Sequence, residues 1–233
     1  MNSQPIQQTQ TQTQVLVNGY MRSVYNWMLI GLAMTGGVAW FVSQNDAIMA
    51  TVQQGFWILA IGLIGLVFYL SARISRMSAS RATVLFMVYA SLNGAMLSFI
   101  FKVYTTAHIS TTFFVCAAMF GALSVYGWVT KRDLTGVGSF MFMGLIGIII
   151  ASVVNIFLRN PAMQMIISYI GVLVFAGLTA YDTQKLKHMA LTQPAGLDGA
   201  VVRKGAIIGA LTLYLDFILM FQYLLMILGG QRD

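Results

Sequence analysis

Residues 211–228 read LTLYLDFILMFQYLLMIL, a run in which every side chain except those of Thr212, Asp216 and Gln222 is apolar or aromatic. The run is long enough to cross a bilayer, because a hydrocarbon core of about 30 Å takes roughly 20 residues of helix. An aspartate at the centre of a membrane helix costs roughly 2.5–3.5 kcal/mol to insert, so such a residue is expected to face a partner or a cavity. The run therefore predicts a membrane-spanning helix with a functional carboxyl group at Asp216.

The composition of the whole chain extends this interpretation. The chain is 58% hydrophobic and only 8% charged, whereas soluble domains have roughly a quarter of their residues charged. An integral membrane protein with the lipid bilayer as its surroundings is therefore expected. The net charge of +7 would suit nucleic acid, but the basic residues stand singly or in small groups between apolar runs. No nucleic-acid partner is predicted.

The apolar runs predict an all-α protein with seven transmembrane helices, because they are continuous and have no period of two, which excludes a membrane β-barrel. The predicted spans are 24–43, 55–72, 82–101, 109–128, 137–157, 162–182 and 206–228. Residues 1–22 are expected to form a polar disordered tail, and residues 23–233 the transmembrane domain. The longest connector, 183–205, contains QPAGLDG and is predicted to be a loop.

The distribution of lysine and arginine predicts the orientation, since cytoplasmic segments carry an excess of these residues. With the N-terminus cytoplasmic and the C-terminus outside, ten basic residues fall inside and three outside. The ten are Arg22, Arg73, Arg76, Arg81, Lys131, Arg132, Lys185, Lys187, Arg203 and Lys204; the three are Lys102, Arg159 and Arg232.

Two carboxyl groups are left at membrane depth, because all six acidic residues are aspartates and the other four fall in loops or the tail. Asp182 is expected at the end of the sixth span, and Asp216 lies about ten residues into the seventh. These helices run antiparallel, so both residues are predicted in the cytoplasmic half, where they can meet. Two carboxyl groups in contact disfavour double ionisation and can share a proton. The competing interpretations are an ordinary interhelical hydrogen bond for Asp216 and solvation at the helix end for Asp182.

The sequence offers little support for a cofactor or for an enzyme. Cys116 is the only cysteine, and His108 and His188 lack the spacing of zinc ligands. The P-loop, GxSxG and HExxH motifs are all absent from the sequence. We therefore expect neither a bound cofactor nor an enzymatic activity.

Four stretches of the sequence resemble the Bax inhibitor-1 family (transmembrane Bax inhibitor motif proteins), in particular its bacterial members. They are MVYASLNGAMLSFIFKVYT (87–105), FGALSVYGWVTKRDLTGVGSF (120–140), YIGVLVFAGLTAYDTQKLK (169–187) and GALTLYLDFILMFQYLL (209–225). The resemblance covers nearly everything after the N-terminal tail, and the paired YDTQKLK and LYLDF segments are its most specific part.

The resemblance implies a seven-helix bundle in a bacterial inner membrane and a pH-sensitive calcium leak. In the family, two aspartates form a proton-responsive latch, and they match Asp182 and Asp216. In some members an arginine of the second span binds the latch. Arg73 is the nearest match in this sequence, and Arg76 is the alternative. The competing explanation for Arg73 is that its side chain snorkels to the membrane interface. Calcium prefers six to eight oxygens, so the pair is expected to form a weak site through which the ion passes, with carbonyls and water as further ligands.

Two other functions remain open from the sequence. The first is an intramembrane aspartyl protease, which also places YD on one helix and an aspartate on the next. Such proteases carry GxGD at the second aspartate, where this chain reads LYLD. Their downstream PAL motif is also missing, because no proline follows Pro194. The second is a non-transporting regulator of a membrane protease or of cell-death or stress machinery, acting through a membrane-protein partner.

Overall fold

The secondary structure of the described residues is helical. The computed structural model describes residues 4–192 and 198–229, with side chains from residue 14 onward except that of Ser75. These residues form nine α-helices and one short 3-10 helix, Ile74–Arg76, and contain no strand. The α-helices are α1 (Gln4–Ser43), α2 (Asp46–Gln54), α3 (Phe56–Arg73), α4 (Ala79–Leu97), α5 (Ile100–Val103), α6 (Thr106–Val129), α7 (Thr135–Leu158), α8 (Pro161–Thr192) and α9 (Gly199–Leu228).

Seven helical segments in the described part of the chain are long and apolar enough to cross a membrane. They are Gln14–Ser43, Phe56–Arg73, Ala79–Val103, Thr106–Val129, Thr135–Leu158, Pro161–Thr192 and Gly199–Leu228. Each contains one of the predicted spans almost completely, so the all-α, seven-span prediction is confirmed. The orientation of the termini stays a prediction.

Polar side chains at the helix starts explain where several of these segments begin. Ser78 accepts a hydrogen bond from the backbone N–H of Arg81 at the start of α4, and Thr105 accepts one from His108 at the start of α6. Asn160 caps α8 in the same way, and Pro161 follows it at the first helical position. Such residues satisfy backbone donors that have no partner within the helix, and proline suits the first turn because it has no N–H to satisfy.

The prediction of a disordered tail over residues 1–22 was wrong for residues 4–22, which belong to α1. Residues 1–3 lie outside the described residues. Val17, Tyr20 and Met21 are buried, and their spacing of three and four places them on one face of a helix. Packing of this face stabilises the helical conformation, which the polar residues alone did not indicate.

The predicted loop over 183–205 was also wrong at both ends. α8 continues to Thr192 and α9 begins at Gly199, while residues 193–197 lie outside the described residues. The charged residues of KLKH end the apolar run, but lysine is a good helix former and nothing in this stretch breaks a helix. The hydrophobic span therefore ends before the helix does.

The chain divides into two compact units, and whether residues 23–233 behave as one domain stays a prediction. The first unit takes in the described parts of Met1–Phe99 and Leu186–Thr212. In it α1 packs against α4, and the hydroxyl of Thr35 on α1 is 2.9 Å from the carbonyl oxygen of Ala90 on α4. A Cβ atom on Gly94 would lie 2.5 Å from the carbonyl oxygen of Thr35. The two backbones approach this closely because position 94 has no side chain.

The second unit takes in Ile100–Lys185 and the described part of Leu213–Asp233, and it contains both aspartates. Glycines again allow close helix contacts. A Cβ on Gly177 of α8 would lie 2.6 Å from the Cγ of Met141 on α7, and one on Gly171 would lie 2.5 Å from the ring of Tyr223 on α9. Helix α8 is thereby packed tightly between α7 and α9.

The close contact at Gly94 gives a first testable prediction. We expect Gly94→Ala to lower the free energy of unfolding by about 1–3 kcal/mol, because the added methyl group forces two packed backbones apart. The measurement is reversible unfolding of the purified chain in mixed detergent micelles, followed by circular dichroism.

Gly37→Ala is the matched control, because Gly37 lies on α1 in the same unit and a Cβ there meets nothing within 4 Å. This variant should unfold within about 1 kcal/mol of the wild-type chain. Equal stabilities for the two alanine variants would contradict the close approach of α1 and α4.

Candidate functional site

Asp182 and Asp216 are brought together in the second unit. Asp182 lies on α8 and Asp216 on α9, and their carboxyl groups form a side-chain hydrogen bond. Asp216 is almost fully buried, with 4% of its surface exposed, and Asp182 is partly buried. The contact that the sequence predicted is therefore present, while its role as a latch or a calcium site stays a prediction.

A hydrogen bond between two carboxyl groups requires a proton, because a carboxylate oxygen can only accept. At least one member of the pair is therefore protonated while the bond exists. Two adjacent carboxylates in a buried site would repel each other and would also lose hydration, so sharing one proton is the favourable state. The second oxygen of Asp216, Oδ2, is buried and has no hydrogen-bond partner among the described residues.

The position of Asp182 differs from the expectation. The sequence predicts it at the end of the sixth span, with solvation at the helix end as the competing interpretation, but α8 continues well beyond it to Thr192. Lys185 lies one turn further along α8, and its ammonium group interacts with the carboxyl of Asp182. The same ammonium group lies 5.7 Å from the ring centre of Tyr181. Asp182 is thus a partly buried residue within α8 and does not lie at the end of the helix.

The helical turn that carries Asp182 is packed closely on α6 and α7. A Cβ on Gly138 of α7 would lie 2.5 Å from the ring of Tyr181, and Gly127 of α6 packs directly on the backbone carbonyl of Ala180. A side chain at either glycine would push α8 away. These contacts fix the position of α8 and so fix where the carboxyl group of Asp182 meets α9.

Aromatic side chains surround the next residue of α9. The rings of Phe113 and Phe120 on α6 lie 5.6 Å and 5.5 Å from the ring of Phe217, both in edge-to-face geometry. The thiol of the buried Cys116 is 3.7 Å from the carbonyl oxygen of Phe217. This apolar packing holds α9 against α6 and limits access of water to Asp216 from that side.

Sequence reasoning missed Ser124, Thr183 and Gln184, which make buried polar contacts beside the pair. The hydroxyl of Thr183 is 3.4 Å from that of Ser124, and the amide of Gln184 binds the loop between α6 and α7. One signal was available, since the run YDTQ places three consecutive polar residues in an otherwise apolar helix. Hydrophobicity alone predicts this run to be the end of the span.

Arg73 is the last residue of α3, and its side chain is exposed. Arg76 follows in the 3-10 helix and is also exposed. Both belong to the first unit, whereas the aspartates belong to the second. The assignment of Arg73 as the partner of the pair stays a prediction from the sequence.

The described residues hold no group of three or more His, Cys, Asp or Glu side chains that could bind a metal ion. Two carboxyl groups supply at most four of the six to eight oxygens that calcium prefers. Any calcium ion at the pair would need carbonyl oxygens or water to complete its shell. The donor set fits a weak site and does not fit a tight structural one.

Seven helices that are long and apolar enough to span a membrane define an integral membrane protein, in which two of these helices each contribute one acid to a contacting pair. The family model described as inhibitor of apoptosis-promoting Bax1 matches residues 17–233. The chain belongs to the Bax inhibitor-1 family, as the resemblance predicted.

Several bacterial proteins are similar to the chain. The chain is similar to the inner membrane protein YbhL of Escherichia coli K12, with 51% identity over 216 residues that cover 91% of this chain and 92% of that protein. It is also similar to a protein of Rickettsia prowazekii, at 45% identity over 92% of this chain and 90% of that protein. A protein of Deinococcus radiodurans is 42% identical over 99% of this chain and 98% of that protein. The predicted localisation, an integral protein of the bacterial inner membrane, is confirmed.

The shared proton gives the second prediction. Infrared spectra of the purified chain at neutral pH should contain the carbonyl stretching band of a protonated carboxylic acid, because the hydrogen bond between the carboxyl groups requires one. Asp182→Asn and Asp216→Asn should each abolish this band or displace it.

Asp198→Asn is the control for these spectra. Asp198 is an exposed aspartate whose carboxyl accepts a hydrogen bond from the backbone N–H of Ala200 at the start of α9. Its replacement should leave the band unchanged. A wild-type spectrum without a protonated carboxyl band at neutral pH would rule out the shared proton.

Proposed function

We propose that the chain is a pH-sensitive cation leak, with calcium as the leading ion and with Asp182 and Asp216 as its proton-responsive latch. The observation that carries the proposal is the hydrogen bond between two carboxyl groups on neighbouring helices, with Asp216 almost completely buried. Buried acids in membrane helices are rare and are concentrated in ion paths and proton relays.

The protonated and ionised states of the pair differ in what they can bind. With one proton shared, the carboxyl groups hold each other and carry a single negative charge. When that proton leaves, two anions lie next to each other in a medium of low dielectric constant, and their repulsion is unfavourable. A divalent cation relieves the repulsion, as does separation of α8 from α9. Loss of the proton thus both opens the contact and creates the charge that attracts calcium.

The incomplete ligand set suits conduction. An ion that passes through a channel must be bound well enough to enter and weakly enough to leave. Two carboxyl groups completed by water or carbonyl oxygens give a site of this kind, whereas a full cage of protein oxygens would retain calcium. The ion is therefore cargo in this proposal, which assigns no resident cofactor to the chain.

The proposal treats the chain as a conductor of ions without enzymatic activity. The two aspartates also suit an aspartyl protease, which activates water between two carboxyl groups, but the segment around Asp216 reads LYLDF in place of the GxGD of intramembrane proteases. Arg73 enters the proposal as the cation that binds the ionised pair, an assignment that rests on the family resemblance alone.

Calcium flux in proteoliposomes provides the third prediction. The wild-type chain should pass calcium at a rate that changes with pH, since protons and calcium compete for the same oxygens. Asp182→Asn and Asp216→Asn should lose the pH response. Each should also lose at least about tenfold in apparent calcium affinity, equivalent to about 1.4 kcal/mol.

Asp198→Asn is again the control and should behave as the wild-type chain does. Unchanged flux and an unchanged pH response in both of the other asparagine variants would refute the latch. Cleavage of a membrane peptide by the wild-type chain, lost in the same two variants and unaccompanied by flux, would favour the protease instead.

A further inference from the structure

A hydrogen-bonded cluster of polar residues lies in the second unit, where α7 ends, α8 begins and α9 ends. Its members are Asn155 of α7, Asn160 of the connecting turn, and Gln164 and Ser168 of α8. The cluster contacts Met226, which lies in the last turn of α9. Met226 follows Asp216 by about 15 Å along the helix axis, so the cluster is separate from the aspartate pair.

The cluster determines which atom of Gln164 faces Met226. The backbone N–H of Asn160 donates to Oδ1 of Asn155 at 3.1 Å. A donor can be received only by the amide oxygen, so Nδ2 of Asn155 is the atom left to face Gln164. It donates to Oε1 of Gln164 at 3.1 Å. The Nε2 of Gln164 therefore faces α9, where it lies 3.3 Å from the sulfur of Met226.

A second donor lies beside the same sulfur. The hydroxyl oxygen of Ser168 is 3.4 Å from the sulfur of Met226 and 2.8 Å from the carbonyl oxygen of Gln164. Ser168 is completely buried. Its single hydrogen goes to the carbonyl, because a thioether sulfur is a weak acceptor. The N–H of Gln164 is poorly satisfied for the same reason. Two donors are thus placed at an atom that accepts hydrogen bonds poorly.

Met226 is also within reach of soluble reagents. Its side chain is 39% exposed, and it lies two residues before the end of α9. The predicted orientation places this end of the helix outside, in the bacterial periplasm, which is an oxidising compartment. Oxidation of methionine adds a polar oxygen to the sulfur. On Met226 that oxygen would lie beside Nε2 of Gln164 and the hydroxyl of Ser168.

We propose that Met226 is an oxidation site, at which a hydroperoxide converts the thioether to a sulfoxide whose oxygen is bound by Gln164 and Ser168. The sulfur attacks one oxygen of hydrogen peroxide, so that an S–O bond forms and the O–O bond breaks. The sulfur loses two electrons. The other oxygen gains them, takes the proton of the transferred oxygen and leaves as water.

The sulfoxide replaces a weak acceptor by a strong one between α8 and α9. The last turn of α9 is then attached to the first two turns of α8 by hydrogen bonds from Gln164 and Ser168. Helix ends fray easily, so an added attachment there is expected to reduce local opening. This inference does not depend on the proposed calcium leak.

The test, our fourth prediction, treats the purified full-length chain with dilute hydrogen peroxide to low conversion and follows hydrogen exchange by mass spectrometry. Residues 221–228 contain Met226 as their single methionine, so the oxidised and unoxidised forms of this segment are separated by mass in one sample. The oxidised segment should exchange its backbone amides about threefold more slowly than the unoxidised one, because the sulfoxide holds the last turn of α9.

Gln164→Glu is the decisive variant, since its carboxylate still accepts from Asn155 but has no N–H for the sulfoxide. Here the oxidised segment should exchange faster than the unoxidised one, because the sulfoxide oxygen faces a carboxylate. Ser168→Ala removes the second donor and should diminish the slowing. The two forms are compared within each variant, so a change in the overall stability of a variant does not affect the result.

Met165 is the matched control, because it lies on α8 at the same end of the second unit and is 41% exposed. Its sulfur receives no hydrogen bond from the described residues. It is the single methionine of residues 164–170, and its oxidation should not slow exchange in that segment.

Four results would overturn the proposal. They are a Met226 that stays reduced while Met165 is oxidised, unchanged or faster exchange of the oxidised wild-type segment, equal slowing in Gln164→Glu, and equal slowing on oxidation of Met165. Calcium flux is not a readout here, so failure of the leak and failure of this inference are distinguishable.

Discussion

The hydrogen bond between the carboxyl groups of Asp182 and Asp216 is the interaction on which the second unit depends. An isolated aspartate in the middle of a membrane helix costs roughly 2.5–3.5 kcal/mol, and α9 is otherwise almost wholly apolar around Asp216. The shared proton lowers this cost by halving the charge and by satisfying one oxygen of each carboxyl group. One oxygen of Asp216 remains without a partner, so the site is stable but not fully satisfied. Our proposal is that a proton or a cation binds at this oxygen.

Close helix packing sets the distance at which this bond forms. Gly127 and Gly138 let α8 approach α6 and α7, while aromatic rings around Phe217 hold α9 against α6. Rigid packing matters here because the energy of two nearby charges changes steeply with their separation in a medium of low dielectric constant. A small movement of one helical turn therefore has a large effect on proton affinity.

Much of the fold could be predicted from the sequence because the bilayer restricts it. Hydrophobic runs of sufficient length predict spans, and all seven spans were found. The pairing of Asp182 with Asp216 was foreseen because few other acids were left at membrane depth, and the family resemblance named the same two residues.

The errors concern the ends of helices, because hydrophobicity does not determine where a helix begins or ends. Helix α8 continues past Lys185 to Thr192, because a helix ends at its caps and breakers and not at the membrane surface. The polar start of α1 is helical because Val17, Tyr20 and Met21 are buried. The contact of Gln184 with the α6–α7 loop could not be predicted, since a contact with a loop some 50 residues away in the chain leaves no periodic signal.

The most direct test of the account, its fifth prediction, is a count of the protons released when calcium binds. Calcium is added to the purified chain in weakly buffered detergent solution near neutral pH, and the released protons are measured with a pH-sensitive dye. If the ion takes the place of the shared proton, about one proton should leave for each calcium ion bound, and Asp216→Asn should release none. Calcium binding without proton release, or equal release from Asp216→Asn, would contradict the account.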